Sequence, residues 1–195
     1  MAAVAETAAV NTTLVLITGP PGTGKSTLAS VAAETLGAPV LGWDWVAAGM
    51  RGHAGVKVAL DAGTKEEYRA IGWSVLWNLA VAELRAGRQV VLDGVARAAE
   101  VDRTRELARE HAVGAAVVVT RCGDRVLHRS RVEGRVRGIP GWHELDWASV
   151  ERTLADWTEP EDVDLVLDAG DTLAANADAV RALLRRAAGS ARPGG

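Results

Sequence analysis

Eight residues, Gly19-Pro20-Pro21-Gly22-Thr23-Gly24-Lys25-Ser26, follow directly on the apolar run Leu14-Val15-Leu16-Ile17. They fit G-x-x-x-x-G-K-[ST], a phosphate-binding P-loop, in the setting that pattern requires: a buried strand, a glycine turn, then a helix. Glycine lets the backbone curl until successive N–H groups point inward at phosphate oxygens. A helix expected over Lys25–Leu36 adds its unpaired first-turn donors and the positive end of its dipole. Lys25 then reaches the β- and γ-phosphates of a bound nucleotide, and the Ser26 hydroxyl is placed to ligate Mg²⁺. The expected nucleotide contacts are Gly19, Pro21, Gly22, Thr23, Gly24, Lys25, Ser26 and Thr27. Lysine occurs only at Lys25, Lys57 and Lys65, and one of these falls where the pattern demands it.

Other candidates gather where apolar runs end. Val90-Val91-Leu92 closes in Asp93, the place of a carboxylate that holds Mg²⁺ directly or through water. Asp93-Gly94 with Arg97 offers the alternative of orienting an acceptor substrate. Asp44, between Trp43 and Trp45, can take the proton of an attacking hydroxyl, or can simply cap the next helix. Arg51 offers an anchor for an anionic part of the acceptor, or a solvated loop charge. Arg131 and Arg135 stand four apart and so share one face of a helix expected over 124–135, with Arg137 just beyond. Guanidinium forks suit the charge that spreads over a phosphoryl group in transfer. Gly138-Ile139-Pro140-Gly141-Trp142 then reads as a loop, so a segment spanning roughly 129–147 is expected to close over nucleotide as a lid. Trp43, Trp45 and Trp142 are expected to line the acceptor pocket. Trp73 and Trp77, four apart, are expected to pack against the sheet. His53, His111 and His128 lack metal-ligand spacing, and His143 and Glu144 have no evident partner.

Positioning these groups requires a sheet. Five apolar runs suit buried parallel strands: 14–17, 39–41, 90–92, 115–119 and 163–167. Helices are expected between and after them, over 25–36, 65–86 (with Gly87 beyond its end as a C-cap), 97–111, 124–135, 148–157 and 174–188. Strands alternating with helices indicate a three-layer α/β fold around a parallel sheet, with ligand beyond the carboxyl ends of the strands. One domain over residues 12–188 is expected, with flexible ends at 1–11 and 189–195.

Composition narrows the classes. At 195 residues, 48% hydrophobic, the chain is large enough for a real core. A net charge of −3 argues against general affinity for nucleic acid or an anionic membrane, although six arginines fall between Arg121 and Arg137. The single cysteine, Cys122, allows no internal disulfide and fits a reducing cytoplasm. Met1–Thr13 lacks the basic start and apolar core of a signal peptide, and no run has the length of a membrane span. A soluble cytoplasmic protein is expected.

GPPGTGKST, the aspartate after the second strand, VVLD after a long helix, and R-S-R-V-E-G-R-V-R together resemble the small P-loop kinases. That group includes nucleoside monophosphate, gluconate and shikimate kinases, chloramphenicol phosphotransferase, polynucleotide kinase domains and AAA-family ATP-binding proteins of bacteria. The resemblance, covering about Leu14 to Leu184, implies a P-loop NTPase sheet in order 2-3-1-4-5 with a small lid. It also implies MgATP as donor and a hydroxyl acceptor. By position it implies phosphate binding by Lys25, Mg²⁺ at Ser26, acceptor activation by Asp44 and lid roles for Arg131 and Arg135. Polynucleotide kinases carry an arginine close behind the aspartate, whereas Val46-Ala47-Ala48 follows here, so a nucleic-acid 5′-hydroxyl is the poorer acceptor. The leading expectation is transfer of a γ-phosphoryl group to a small-molecule hydroxyl. The alternative is a nucleotide-binding switch whose tryptophans dock a partner. An open pocket at Asp44 favours the first, and indoles filling it favour the second. A motor-type ATPase would need a helical second domain, and a GTPase the N-K-x-D motif, which this chain does not contain.

Overall fold

The computed structural model describes residues 13–189. Five strands, β1 (Thr13–Thr18), β2 (Val40–Gly42), β3 (Val90–Asp93), β4 (Gly114–Arg121) and β5 (Leu165–Asp168), form one sheet in the order β2-β3-β1-β4-β5. Every pairing is parallel. The expected strands are thus all present, each within two residues of its expected start. All six residues of β1 are buried, as the near-continuous apolar run of a strand covered on both faces requires.

Helices cover both faces. Leu14 and Leu16 point into a core shared with Trp73, Leu76 and Ala80 of α4 (Lys65–Arg85) and with Val101 and Leu107 of α5 (Ala98–Glu110). Val15 and Ile17 point the other way, against Leu28 and Ala32 of α1 (Lys25–Leu36) and Val180 and Leu184 of α8 (Leu173–Gly189). This is the two-residue alternation of a strand, read on both sides of the sheet. Trp73 is buried and Trp77 packs beside it, as expected. Helix α4 begins with a capping box between Thr64 and Glu67. It ends in a Schellman turn, with Arg88 N–H donating to Glu83 C=O and Gly87 N–H to Leu84 C=O, and Gly87 at φ 70°.

Three expectations need correction. The segment after β2 is helical: α2 (Trp43–Arg51) and α3 (Ala54–Ala62) occupy it, and Trp43-Asp44-Trp45 is the first turn of α2. Asp44 does not cap that helix, because the N-cap is Gly42. The arginine helix is shorter than expected. It runs only over α6 (Arg125–Val132), capped by the Asp124 carboxylate, so Arg135 lies beyond its end and shares no helix face with Arg131. Glu133 leaves helical geometry and Gly134 takes φ 75°, which turns the chain. A connection over 133–146 then leads to α7 (Trp147–Asp156). The expected flexible ends lie outside the described residues, apart from Gly189, which closes α8.

Candidate active site

The ends of β1 and β4 build the phosphate loop between them. Gly19, Gly22 and Gly24 have φ of 139°, 87° and 89°, a backbone region that side chains disfavour. At Gly19 the requirement is doubled: a Cβ would lie 2.0 Å from the Thr120 carbonyl oxygen. Thr120, at the end of β4, meets the Thr23 hydroxyl at 2.6 Å, and Thr23 donates to Pro20 C=O at 2.8 Å. His128, on α6, is buried and its Nε2 lies 2.7 Å from the Pro21 carbonyl oxygen. A carbonyl only accepts, so this nitrogen carries the proton. For Thr120 the sequence signals only a polar residue at the end of a strand, and for His128 it offers no signal, because both act through contacts across about a hundred residues of chain.

Lys25 Nζ donates to Pro20 C=O at 2.9 Å, and loss of solvent pushes its ammonium below the usual lysine range, against the opposing pull of the Asp93 and Asp44 charges. Asp93 ends β3 beside Gly42 and Ile17, which brings its carboxylate near the Ser26 hydroxyl at the same cleft. Loss of solvent pushes Asp93 upward, while the Lys25 charge and the Ser26 hydroxyl oppose this. Ser26, Asp93, Asp44, Arg135 and Arg137 line one open cleft of about 420 Å³, with Ser30, Val40, Gly42, Trp45, Val136 and Ile139 completing its wall. Trp45 stands 59% exposed at that wall. The cleft at Asp44 is therefore not filled by an indole.

Other expected site residues fall elsewhere. Trp43 turns away from the cleft, edge-on to Tyr68 and Trp142 and tight against Gly72, where a Cβ would lie 2.5 Å from its Nε1. Trp142 stacks on His143 and underlies Arg137, whose guanidinium carbon is 4.9 Å from the ring centre. Arg51 pairs with Asp61 at 2.7 Å and lies over Tyr68, outside the cleft lining. Arg97 is the N-cap residue of α5, where its N–H donates to Glu100, and it too lies outside that lining. Arg131 reaches a second pocket of about 210 Å³ on the far side of the phosphate loop, with Gly24, Thr27, Ala169, Asp171 and Asn176. Arg135 makes no ion pair among the described residues, and loss of solvent together with the nearby Arg137 charge pushes its guanidinium downward.

Comparison with known proteins gives one family and one fold. The AAA domain family AAA_33 matches residues 14–160. A gluconokinase from Sinorhizobium meliloti 1021 is similar in structure, with a TM-score of 0.67 and 20% identity, covering 94% of this chain and 97% of that one. A sugar kinase from Janibacter sp. HTCC2649 has a TM-score of 0.65 and 19% identity over 93% and 99%. An APS kinase from Mycobacterium tuberculosis, in complex with AMPPNP and APS, has a TM-score of 0.63 and 20% identity over 90% and 98%. No curated protein sequence matches the chain. The shared architecture is that of the small P-loop kinases.

Proposed function

The chain belongs to this AAA domain family, and from that premise we infer that it is an ATP-dependent phosphotransferase acting on a hydroxyl of a small molecule. The observation that carries the reading is the cleft itself. It sets Ser26 and Asp93, an Arg135 with no ion pair among the described residues, and Asp44, one oxygen of which Arg137 holds, around one space beside Lys25, whose ammonium feels the Asp93 and Asp44 charges. Indoles filling that space would have favoured the partner-docking alternative.

Ser26 and Asp93 fit magnesium. Among the described residues no group of three or more His, Cys, Asp or Glu side chains could hold a metal. Magnesium in phosphoryl-transfer sites instead uses one or two protein oxygens and completes its shell with phosphate and water. When bound there, it neutralises charge on the phosphate oxygens. The rest is supplied by the chain. Lys25 and the loop amides hold the phosphates, Arg135 takes the equatorial charge of the moving group, and Asp44 accepts the hydroxyl proton. The acceptor oxygen bonds to the γ-phosphorus as the bond to the β-phosphate oxygen breaks, and ADP leaves. The second pocket, where Arg131 meets Thr27, Ala169 and Asn176 beside the phosphate loop, offers the space for the purine. The −3 net charge and the lack of an arginine close behind Asp44 support a small acceptor over a nucleic-acid end.

ADP release from MgATP across a panel of small hydroxyl compounds tests the reading. Lys25→Ala is expected to weaken AMPPNP binding by about tenfold or more and abolish transfer. Asp44→Asn is expected to keep AMPPNP affinity while turnover falls at least about 100-fold. Full turnover in the Asn variant removes Asp44 as base, and undiminished nucleotide binding by the Ala variant removes the site.

A further inference from the structure

Arg137 is fixed from more directions than the other arginines near the cleft. Its Nη1 is ion-paired with Asp44 Oδ2, and its Nε faces Glu144 Oε2 at 3.5 Å. Its own backbone N–H donates to Glu144 Oε1 at 2.7 Å, and the Trp142 ring lies against the guanidinium. Only 13% of the side chain is exposed. Arg135, two residues earlier, makes none of these contacts. Glu144 thus orients Arg137, and Arg137 in turn holds one oxygen of Asp44, whose Oδ1 takes no hydrogen bond from the described residues. The order of contacts is that of a base oriented by a neighbour that is itself held in place.

We propose that Arg137 is a positioning residue that ties the 133–146 segment to Asp44, so that the acceptor-side carboxylate is oriented by the same segment that covers the cleft. This rests on the phosphotransfer reading for its consequence in turnover, but the tie itself does not. The charge balance separates Arg137 from a phosphate ligand. With two carboxylates on it, the guanidinium is already neutralised, whereas Arg135 and Lys25 have no ion pair among the described residues. Positioning Asp44 also differs from generic packing, because a lysine can keep the Asp44 pair while losing the guanidinium face on Trp142 and the second contact to Glu144.

Hydrogen exchange on the nucleotide-free protein reads the tie directly, in peptides covering 43–51 and 133–146. Arg137→Ala and Asp44→Asn are both expected to speed exchange in both segments by about tenfold, and Arg137→Lys to restore part of the protection. AMPPNP affinity in Arg137→Ala is expected to stay within about twofold of the parent, while turnover at saturating nucleotide falls about 10- to 100-fold. Unchanged exchange in Arg137→Ala overturns the proposal. So does a tenfold loss of AMPPNP affinity with turnover preserved, which makes Arg137 a phosphate ligand. The functional reading fails separately, on the Lys25 and Asp44 variants, whatever the exchange data give.

Discussion

Single residues near the phosphate loop divide into those legible in the sequence and those set by distant packing. Lys25 and Ser26 were named by spacing alone, since the loop's chemistry is local: turn, amides, ammonium and hydroxyl lie within eight residues. Asp93 was legible as a carboxylate ending an apolar strand, and parallel pairing brings it to Ser26. His128 was not legible, because its partner is the Pro21 carbonyl 107 residues away and its own neighbourhood is merely basic. His128→Ala removes that hydrogen bond and the edge contact to Trp147, leaving a hole beneath Gly22. A loss of about 2 kcal/mol in urea unfolding is expected, together with several-fold weaker AMPPNP binding. His128→Gln, which still offers an N–H, should recover more of the affinity than of the stability. Gly19→Ala acts differently. The clash is with backbone at Thr120, so no side-chain rotation relieves it, and nucleotide binding is expected to be lost outright in the same titration.

Among the elements, the strands, the long helices and the short α7 are legible within a few residues, whereas α2 and α3 are not. The Trp43–Ala62 stretch carries Gly49, Gly52 and Gly55, which break helical propensity, so α2 and α3 form by packing rather than by local preference. Ala47 and Ala48 are buried, and Arg51 and Lys57 converge on Asp61. Helix α6 was over-extended for a related reason: side-chain spacing continues to Arg135, but Gly134 stops the backbone. Helix α4 shows the opposite case, a long element with both ends written locally. Thr64→Ala removes its N-terminal acceptor and is expected to cost about 1 kcal/mol at neutral pH. Donation from the Thr64 N–H and hydroxyl holds the Glu67 carboxyl below its usual range. A carboxylate whose folded value is depressed gives its stability above the unfolded value and loses it as acid takes the pH through the folded one. The Thr64→Ala deficit, measured by urea unfolding, should therefore shrink from pH 7 toward pH 3.

At the level of the whole molecule, the sheet order joins the two cores to one rim. β1 lies between β3 and β4, so the phosphate loop emerges flanked by Asp93 on one side and Thr120 on the other. The five runs and their alternation with helices were readable as a three-layer fold. The order itself came from likeness to a family, since apolar runs do not say which neighbour each strand takes. The site is assembled from β1, α1, β3, β4, α2, α6 and the 133–146 segment, so a ligand that bridges these parts binds the folded chain and not the unfolded one. At a hundred times its dissociation constant such a ligand adds about 2.7 kcal/mol to stability. For a chain of this size that raises the melting temperature by about 5–10 °C. AMPPNP with magnesium is expected to produce this shift in a thermal melt of the parent and of Asp44→Asn, because the role proposed for Asp44 lies at the acceptor end. Lys25→Met should abolish most of it. Its unliganded melting temperature should nevertheless not fall, because removing a poorly solvated ammonium offsets the loss of its Pro20 hydrogen bond and of its attraction to the nearby Asp93 and Asp44 charges. A lower unliganded melting temperature in Lys25→Met would mean that the loop depends on that ammonium for folding as well as for binding.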